Sequence, residues 1–98
     1  MNGRRAVEVG ATGRNVAENL LRLRKIRGLS TRRLSARLGE IGRPIPASGI
    51  TRMELSERRV DVDDLVALAV ALDVEPTQLM LSPSELTIEI FVGGGETR

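Results

Sequence analysis

Residues 28–54 of this 98-residue chain, GLSTRRLSARLGEIGRPIPASGITRME, predict two helices joined by a turn. Ser30 is a good N-cap, because its hydroxyl can accept a hydrogen bond from an amide of the first helical turn. Leu34, Leu38 and Ile41 follow at spacings of four and three, which places them on one buried face of a helix. The pattern therefore predicts a helix that begins after Ser30 and ends at Gly42.

The residues after this helix predict a turn and then a short third helix. Pro44 disfavours helical geometry at Arg43, and neither proline of the segment has an amide hydrogen to donate. Pro46 suits the first turn of the next helix, which we expect to run from Pro46 to Leu55. Its predicted inward residues are Ile50 and Met53, and its predicted outward residues are Ala47, Ser48, Thr51 and Arg52.

A first helix is predicted before this segment. Asn15 is a good N-cap, and a helical period of apolar residues begins directly after it. We expect this helix to run from Val16 to Arg27, with Gly28 as its stop. Its inward stripe contains Val16, Leu20, Leu23 and Arg27.

Two further helices are predicted after the third one. Residues 56–60 form a loop, and Asp61 with Asp64 three residues later resembles a capping box that opens a fourth helix. Pro76 starts a short fifth helix that ends near Leu81. The core stripe of the fourth helix contains Leu65, Leu68, Ala69 and Leu72.

Both ends of the chain carry alternating apolar residues, which are typical of β-strands. We expect an arm over residues 1–14 with a short strand at Ala6–Val9, a helical domain over 15–81, and a strand at Leu86–Val92 with a flexible tail within 82–98. Proteins seldom leave an apolar strand unpaired. The second strand therefore pairs with the first within one chain, pairs across a dimer, or belongs to a tail without a partner.

The composition excludes several classes of function. The chain has no Cys and no His, which removes disulfides, thiolate chemistry, imidazole bases and the usual zinc ligands. Its apolar residues make up 41% of the chain with one aromatic, which favours a small helical bundle. Asp61, Asp63 and Asp64 lack the glycine and terminal glutamate of a calcium loop. We expect no catalytic residue, no metal, no cofactor and no membrane span, and hence a soluble, cytoplasmic protein that is not an enzyme.

Charge is distributed unevenly along the chain. All but one of the 15 Lys and Arg residues lie within residues 1–59, whereas eight of the 13 Asp and Glu residues lie within residues 60–98. Such a dipole is what a one-sided phosphate-binding surface shows in sequence. Salt bridges between the two halves would produce the same pattern, so the charge alone leaves both explanations open.

Five groups of residues occur in an order that is specific for one family. They are Leu20-x-x-Leu23-Arg24, Gly28-Leu29-Ser30, Leu34-Ser35, Ile50-Thr51-Arg52-Met53-Glu54 and Asp61-x-x-x-Leu65-x-x-Leu68-Ala69-x-x-Leu72. This order resembles the Cro/Xre regulators, the lambda-repressor-like helix-turn-helix family, over most of the chain. The resemblance implies a mainly α, five-helix DNA-binding domain whose third helix lies in the major groove.

The resemblance also implies roles for individual residues. Arg24 and Glu54 occupy the positions of a structural ion pair that fixes the angle of the third, recognition helix. The positions that face base edges are Ala47, Ser48, Gly49, Thr51 and Arg52. The positions that contact DNA phosphates are Thr31, Arg32, Arg43, Arg58 and Arg59.

Two of these residues have alternative interpretations. Arg52 can donate two hydrogen bonds to a guanine, which contributes about 1 to 3 kcal/mol of discrimination, or it can contact a phosphate or only water. Gly49 weakens a helix by about 1 kcal/mol relative to alanine, so it either allows a close approach to DNA or is a tolerated flaw.

The chain departs from the family pattern in three places. Thr31 replaces the usual glutamine at the start of the second helix, and Pro46 replaces the usual Ser or Thr cap of the third. The connection over Glu40–Ile45 is also longer than the usual tight turn. A longer connection allows the recognition helix to lie at a different angle.

The sequence therefore predicts a sequence-specific transcriptional regulator, a repressor that binds a palindromic operator in double-stranded DNA as a homodimer. The alternative is a protein-interaction module, such as an antitoxin or a phage accessory factor, which binds a protein partner through the C-terminal strand and binds DNA only secondarily.

Overall fold

The computed structural model describes residues 8–82, and this part of the chain forms five helices and no strand. The helices are α1 (Ala11–Ile26), α2 (Thr31–Glu40), α3 (Ala47–Glu54), α4 (Val62–Leu72) and α5 (Pro76–Met80). The predicted five-helix, mainly α fold is confirmed. The predicted strand at Leu86–Val92 lies outside the described residues, as do Ala6 and Val7 of the predicted N-terminal strand, while Glu8 and Val9 are in no strand.

The N-caps of α2 and α4 are the predicted ones. Ser30 Oγ accepts a hydrogen bond from the Arg33 amide at 3.1 Å. Asp61 Oδ1 accepts one from the Asp64 amide at 2.7 Å, and Asp64 Oδ2 accepts one from the Asp61 amide at 3.4 Å, which completes a capping box. These side chains satisfy helix-start amides that have no partner within the helix.

Four helices end at a left-handed residue, which directly follows the C-cap of α1, α2 and α3 and is itself the C-cap of α4. Gly28 and Gly42 take this conformation after α1 and α2, with φ of +70° and +86°. Ser56 and Asp73 take it after α3 and α4, each with φ of 60°. In each case the next residue donates its amide to a carbonyl one turn back, so every one of these helices stops sharply and the chain reverses.

The core lies where α1, α2, α3 and α4 meet, with α5 closing it against α1 and α4. It is aliphatic throughout, as the composition predicts. Its largest fully buried apolar side chains are Leu20, Leu23, Leu34, Leu38, Ile45, Ile50, Met53, Leu68, Leu72 and Leu79. Within residues 8–82 no helix is long and apolar enough to cross a membrane.

Three predicted details of the helices are wrong. Arg27, expected on the inward stripe of the first helix, is exposed and is the C-cap of α1. Helix α1 begins at Ala11, not at Val16, and its N-cap is Gly10. Asn15 is therefore no cap; it lies within α1 and its Nδ2 donates to the Met80 carbonyl at 3.2 Å. Ile41 is exposed because α2 ends at Glu40, so the helical spacing that predicted its burial no longer applies.

Candidate nucleic-acid interface

Helix α3 has a buried side and an exposed side. Ile50 and Met53 are fully buried, as predicted, and they anchor the helix in the core. Ser48, Thr51 and Arg52 are exposed and Ala47 is half-buried, so the predicted outward residues share one surface. The Thr51 hydroxyl donates to the Ala47 carbonyl at 3.2 Å, which leaves its oxygen lone pairs available to an outside donor.

The predicted pair of Arg24 and Glu54 is present in a bidentate geometry. Arg24 Nε donates to Glu54 Oε2 at 2.7 Å and Arg24 Nη2 donates to Oε1 at 3.1 Å. The side chains are 13% and 7% exposed. The hydrogen bond to Glu54 raises the pKa of Arg24 above its ordinary value, burial opposes this, and the charge of Glu54 adds to it.

Arg24 also fixes the start of the helix-turn-helix pair. Its Nη1 donates to the Leu29 carbonyl at 2.9 Å, in the connection between α1 and α2. One guanidinium on α1 therefore holds the entry to α2 and the last turn of α3. Because both contacts come from one planar group, the angle of α3 is fixed relative to α1 and to the start of α2.

The long connection between α2 and α3 is held at two points. Ile45 is buried in the core, and its carbonyl accepts a hydrogen bond from Ser35 Oγ at 2.6 Å. The amide of Arg43 donates to the Leu38 carbonyl at 3.0 Å, which closes the end of α2. The additional residues of the turn thus form an ordered element that sets where α3 begins.

Arg43 joins the turn to the start of α4. Its Nε donates to Asp64 Oδ1 at 3.0 Å, and its Nη2 lies 3.1 Å from Asp61 Oδ2. The hydrogen bond with Asp64 raises the pKa of Arg43, burial opposes this, and the charges of nearby aspartates add to it. The capping residues of α4 therefore have a second function that the capping pattern alone does not indicate.

Arg58 lies next to Gly49, which is buried on the inner side of α3. A Cβ atom at Gly49 would lie 2.6 Å from Arg58 Nη1 and 3.2 Å from Ile45 Cγ2. Arg58 Nη2 is 4.0 Å from Asp64 Oδ2. The missing side chain of Gly49 thus makes room for a guanidinium of the protein itself, an explanation that the sequence reasoning missed.

The other three predicted phosphate contacts lie at the start of α2 and in the loop after α3. Thr31 and Arg32 are the first two residues of α2. Arg59 is exposed, and its Nε donates to the Glu8 carbonyl at 3.1 Å. Among residues 8–82, the side chains of Arg32 and Arg52 make no hydrogen bond or ion pair.

Two arginines that were not predicted as functional residues cap the end of α4. Arg27 donates to the Leu72 and Asp73 carbonyls at 2.8 and 2.9 Å, and Arg37 donates to the Ala71 carbonyl at 3.0 Å. The last turn of α4 contains no basic residue, so these carbonyls receive charged donors from α1 and α2. The sequence signal for Arg27 was a charged side chain on the apolar stripe predicted for the first helix.

Asn19 is another structural residue that the sequence reasoning missed. It is fully buried in α1, and its Nδ2 lies 2.9 Å from the Leu79 carbonyl and 2.6 Å from the Leu81 carbonyl. Asn19 therefore holds the end of α5 against α1. A polar residue inside an apolar stripe was the only signal, and it does not indicate which carbonyls the side chain meets.

A short helix with an exposed polar face, held by a buried ion pair behind an ordered turn, defines a DNA-binding domain of the helix-turn-helix class. The chain belongs to the helix-turn-helix family HTH_3, of the Cro/C1 and Xre type, which matches residues 20–79. Members of this family regulate transcription. No curated protein matches the chain significantly.

The fold is also similar to a solved structure. The crystal structure of a hypothetical transcription factor, NHTF, from Neisseria matches with a TM-score of 0.68 and 19% sequence identity. The match covers 92% of this chain and 97% of that one. At this level of identity the likeness shows a common fold.

Proposed function

We propose that the protein is a sequence-specific repressor that binds a palindromic operator as a homodimer, with the exposed face of α3 in the major groove. One observation carries the proposal. Helix α3 is fixed by Ile50, Met53 and the pair of Glu54 with Arg24, while Arg52 on its outer face has no partner among residues 8–82. A rigid helix with an unpaired arginine suits the reading of a base edge.

Arg52 is the main base-reading residue in this proposal. Its guanidinium can donate two hydrogen bonds to a guanine, whereas Ser48 and Thr51 provide hydroxyls and Ala47 can only contact a thymine methyl. Gly49 contributes differently, because its backbone is buried beside Arg58. Specificity within one subunit therefore depends chiefly on one side chain, which is why two symmetric subunits are proposed.

The phosphate contacts come from both sides of α3. The amides of Thr31 and Arg32 belong to the first turn of α2, and the N-terminus of a helix favours anions. Arg58 and Arg59 follow α3 in the next loop, and Arg43 precedes it in the turn. These groups would supply most of the affinity and make it fall steeply with salt.

Selection of bound DNA from a random double-stranded pool tests the reading role of α3. The wild type should enrich a motif, and Arg52→Ala should lose the preference at one position in each half-site. Lys25→Ala, which removes an equal charge from an exposed position of α1, is the matched control and should enrich the wild-type motif. Failure of the wild type to enrich any motif would contradict the proposal.

The homodimer is proposed on symmetry and on the apolar segment within residues 84–98, which lies outside the described residues. Removing residues 84–98 should lower the dimer population and the DNA affinity together. Sedimentation that is unchanged by the deletion would contradict a dimer built by this segment.

A repressor is proposed because occupancy of an operator suffices to block a promoter, without any further contact. A reporter promoter that overlaps the selected motif should therefore be expressed less when the protein is present, and Arg52→Ala should restore it. The alternative of a protein-interaction module has less support at α3, since the exposed face of this helix is polar and cationic.

A further inference from the structure

The ion pairs of Arg43 leave part of its guanidinium unused. Nε is occupied by Asp64 and Nη2 by Asp61, through contacts of 3.0 to 3.3 Å. Nη1 has no acceptor among residues 8–82, and the side chain is 41% exposed. Because a guanidinium donates from all three of its nitrogens, Arg43 can be held by the protein and bind a further anion simultaneously.

The two carboxylates that hold Arg43 are themselves fixed. Asp61 and Asp64 form the capping box of α4, so each side chain also accepts a hydrogen bond from the backbone amide of the other. The Asp64 side chain is almost fully buried. The Asp61 side chain is 60% exposed, so its position is set by its hydrogen bonds to the Asp64 amide and to Arg43. Together the two carboxylates restrict the plane and direction of the guanidinium.

The position of Arg43 in the chain puts it beside the proposed DNA site. It lies in the turn before α3, three residues ahead of the N-cap Pro46. A recognition helix reads bases near its N-terminal end, so the residues that precede it run along the sugar-phosphate wall of the groove. Nη1 of Arg43 is thus a candidate donor to a phosphate on that wall.

We propose that Asp61 is a positioning residue for DNA binding, because it orients Arg43 so that Nη1 donates to a DNA phosphate. This inference rests on the proposed function. It gives a role to an acidic residue on a surface that binds a polyanion, where charge alone would make the residue unfavourable.

Asp63 provides the contrast that makes the inference testable. It lies two residues after Asp61, is exposed and belongs to the same turn of α4, yet it makes no hydrogen bond or ion pair among residues 8–82. Asp61→Asn and Asp63→Asn remove the same charge from nearly the same place. Asparagine is as good an N-cap as aspartate, so Asp61→Asn preserves the cap of α4.

The test measures the Kd of the full chain for its selected DNA site, as a function of salt. Asp63→Asn should bind as tightly as the wild type or more tightly, because a repulsive charge is removed. Asp61→Asn should bind about tenfold more weakly, as expected for the loss of one charge-assisted hydrogen bond. Its salt slope should fall by about one, as for any lost phosphate contact, whereas Asp63→Asn should keep the wild-type slope.

A second pair of variants separates positioning from folding. In an Arg43→Ala background, Asp61→Asn should no longer weaken binding, because the group through which it acts is absent. Weakening that persists in this background, or Asp61→Asn that binds as tightly as Asp63→Asn, would overturn the inference while leaving the proposed function intact. Failure of the wild type to bind any DNA would overturn both.

Discussion

The arginines that donate to the end of α4 differ from the arginine on the outer face of α3. Arg27 and Arg37 reach across from α1 and α2, and their guanidinium groups donate to carbonyls of the last turn of α4. Arg52 has no such partner within residues 8–82. Arg27 and Arg37 therefore stabilise the fold, whereas Arg52 is available for a ligand.

This difference changes the meaning of the uneven charge. The sequence allowed either a one-sided phosphate-binding surface or pairing between the two halves. The structure contains internal pairing, because Arg43 binds Asp61 and Asp64 across the sequence midpoint. It also leaves Arg32 and Arg52 without partners in the described part of the chain. Internal pairing therefore accounts for part of the uneven charge, and the phosphate-binding surface stays a prediction for the unpaired arginines.

The largest effect is expected at the ion pair of Arg24 with Glu54, which orients α3. Glu54→Ala leaves the charge of Arg24 uncompensated in a mostly buried place, and this should lower the free energy of unfolding by about 3 kcal/mol. Urea denaturation measures the change. Replacing both partners by apolar residues, Arg24→Met with Glu54→Leu, should recover most of the loss, and a single variant that costs little would contradict a structural role.

Arg52→Ala should affect binding and spare the fold. On the selected site the variant should lose about 1 to 3 kcal/mol of binding free energy. On a site in which the contacted guanine is replaced, the wild type and the variant should bind equally well, because Arg52 of the wild type has no guanine to contact there. Thermal unfolding should be unchanged, since the side chain is exposed and makes no hydrogen bond or ion pair within residues 8–82. An equal loss on both sites would indicate a phosphate contact.

Arg27→Ala should show the opposite pattern. It removes charged donors from the Leu72 and Asp73 carbonyls, and we expect a loss of about 1.5 kcal/mol in the free energy of unfolding. DNA affinity at a temperature where the variant is folded should stay unchanged. Lys25→Ala, also on α1 but exposed, is the control that should not alter stability. A large loss of DNA affinity in folded Arg27→Ala would undermine the division into two groups.

The smallest effect is expected at the left-handed residue after α4. Asp73→Gly relieves the positive φ and removes a negative charge from a helix C-terminus, and we expect a gain of about 0.5 kcal/mol in stability. Asp73→Asn removes the charge and keeps the side chain, so comparing the two melting temperatures separates these causes. If Asp73→Gly is less stable than the wild type, the Asp73 side chain itself stabilises the fold.

Much of the scaffold could be predicted because its signals are local. Ser30 and the box of Asp61 with Asp64 cap the helices that they were expected to cap, and Ile50 and Met53 are buried as their spacing indicates. The pair of Arg24 with Glu54 followed from the family resemblance. Each of these features depends on residues close in sequence or on a known pattern.

Other features were missed, either because the local signal is misleading or because the partners are distant in the sequence. The start of α1 was missed because Gly10 and Gly13 look like loop residues, yet Gly10 serves as the N-cap. The partners of Arg27 lie more than 40 residues away, and they meet it only after α4 has packed. Which arginines remain available to DNA is therefore a result of helix packing, and composition could not reveal it.

Mapping of backbone amide chemical shifts, while the selected double-stranded DNA is added, tests the division between the two regions most directly. The largest changes should fall on residues 47–52 of α3, on Thr31 and Arg32, and in the turn at Arg43. The amides around Ala71 to Asp73 at the end of α4 should change little. Large changes at the end of α4 with none along α3 would contradict the central claim that DNA binds to the exposed face of α3.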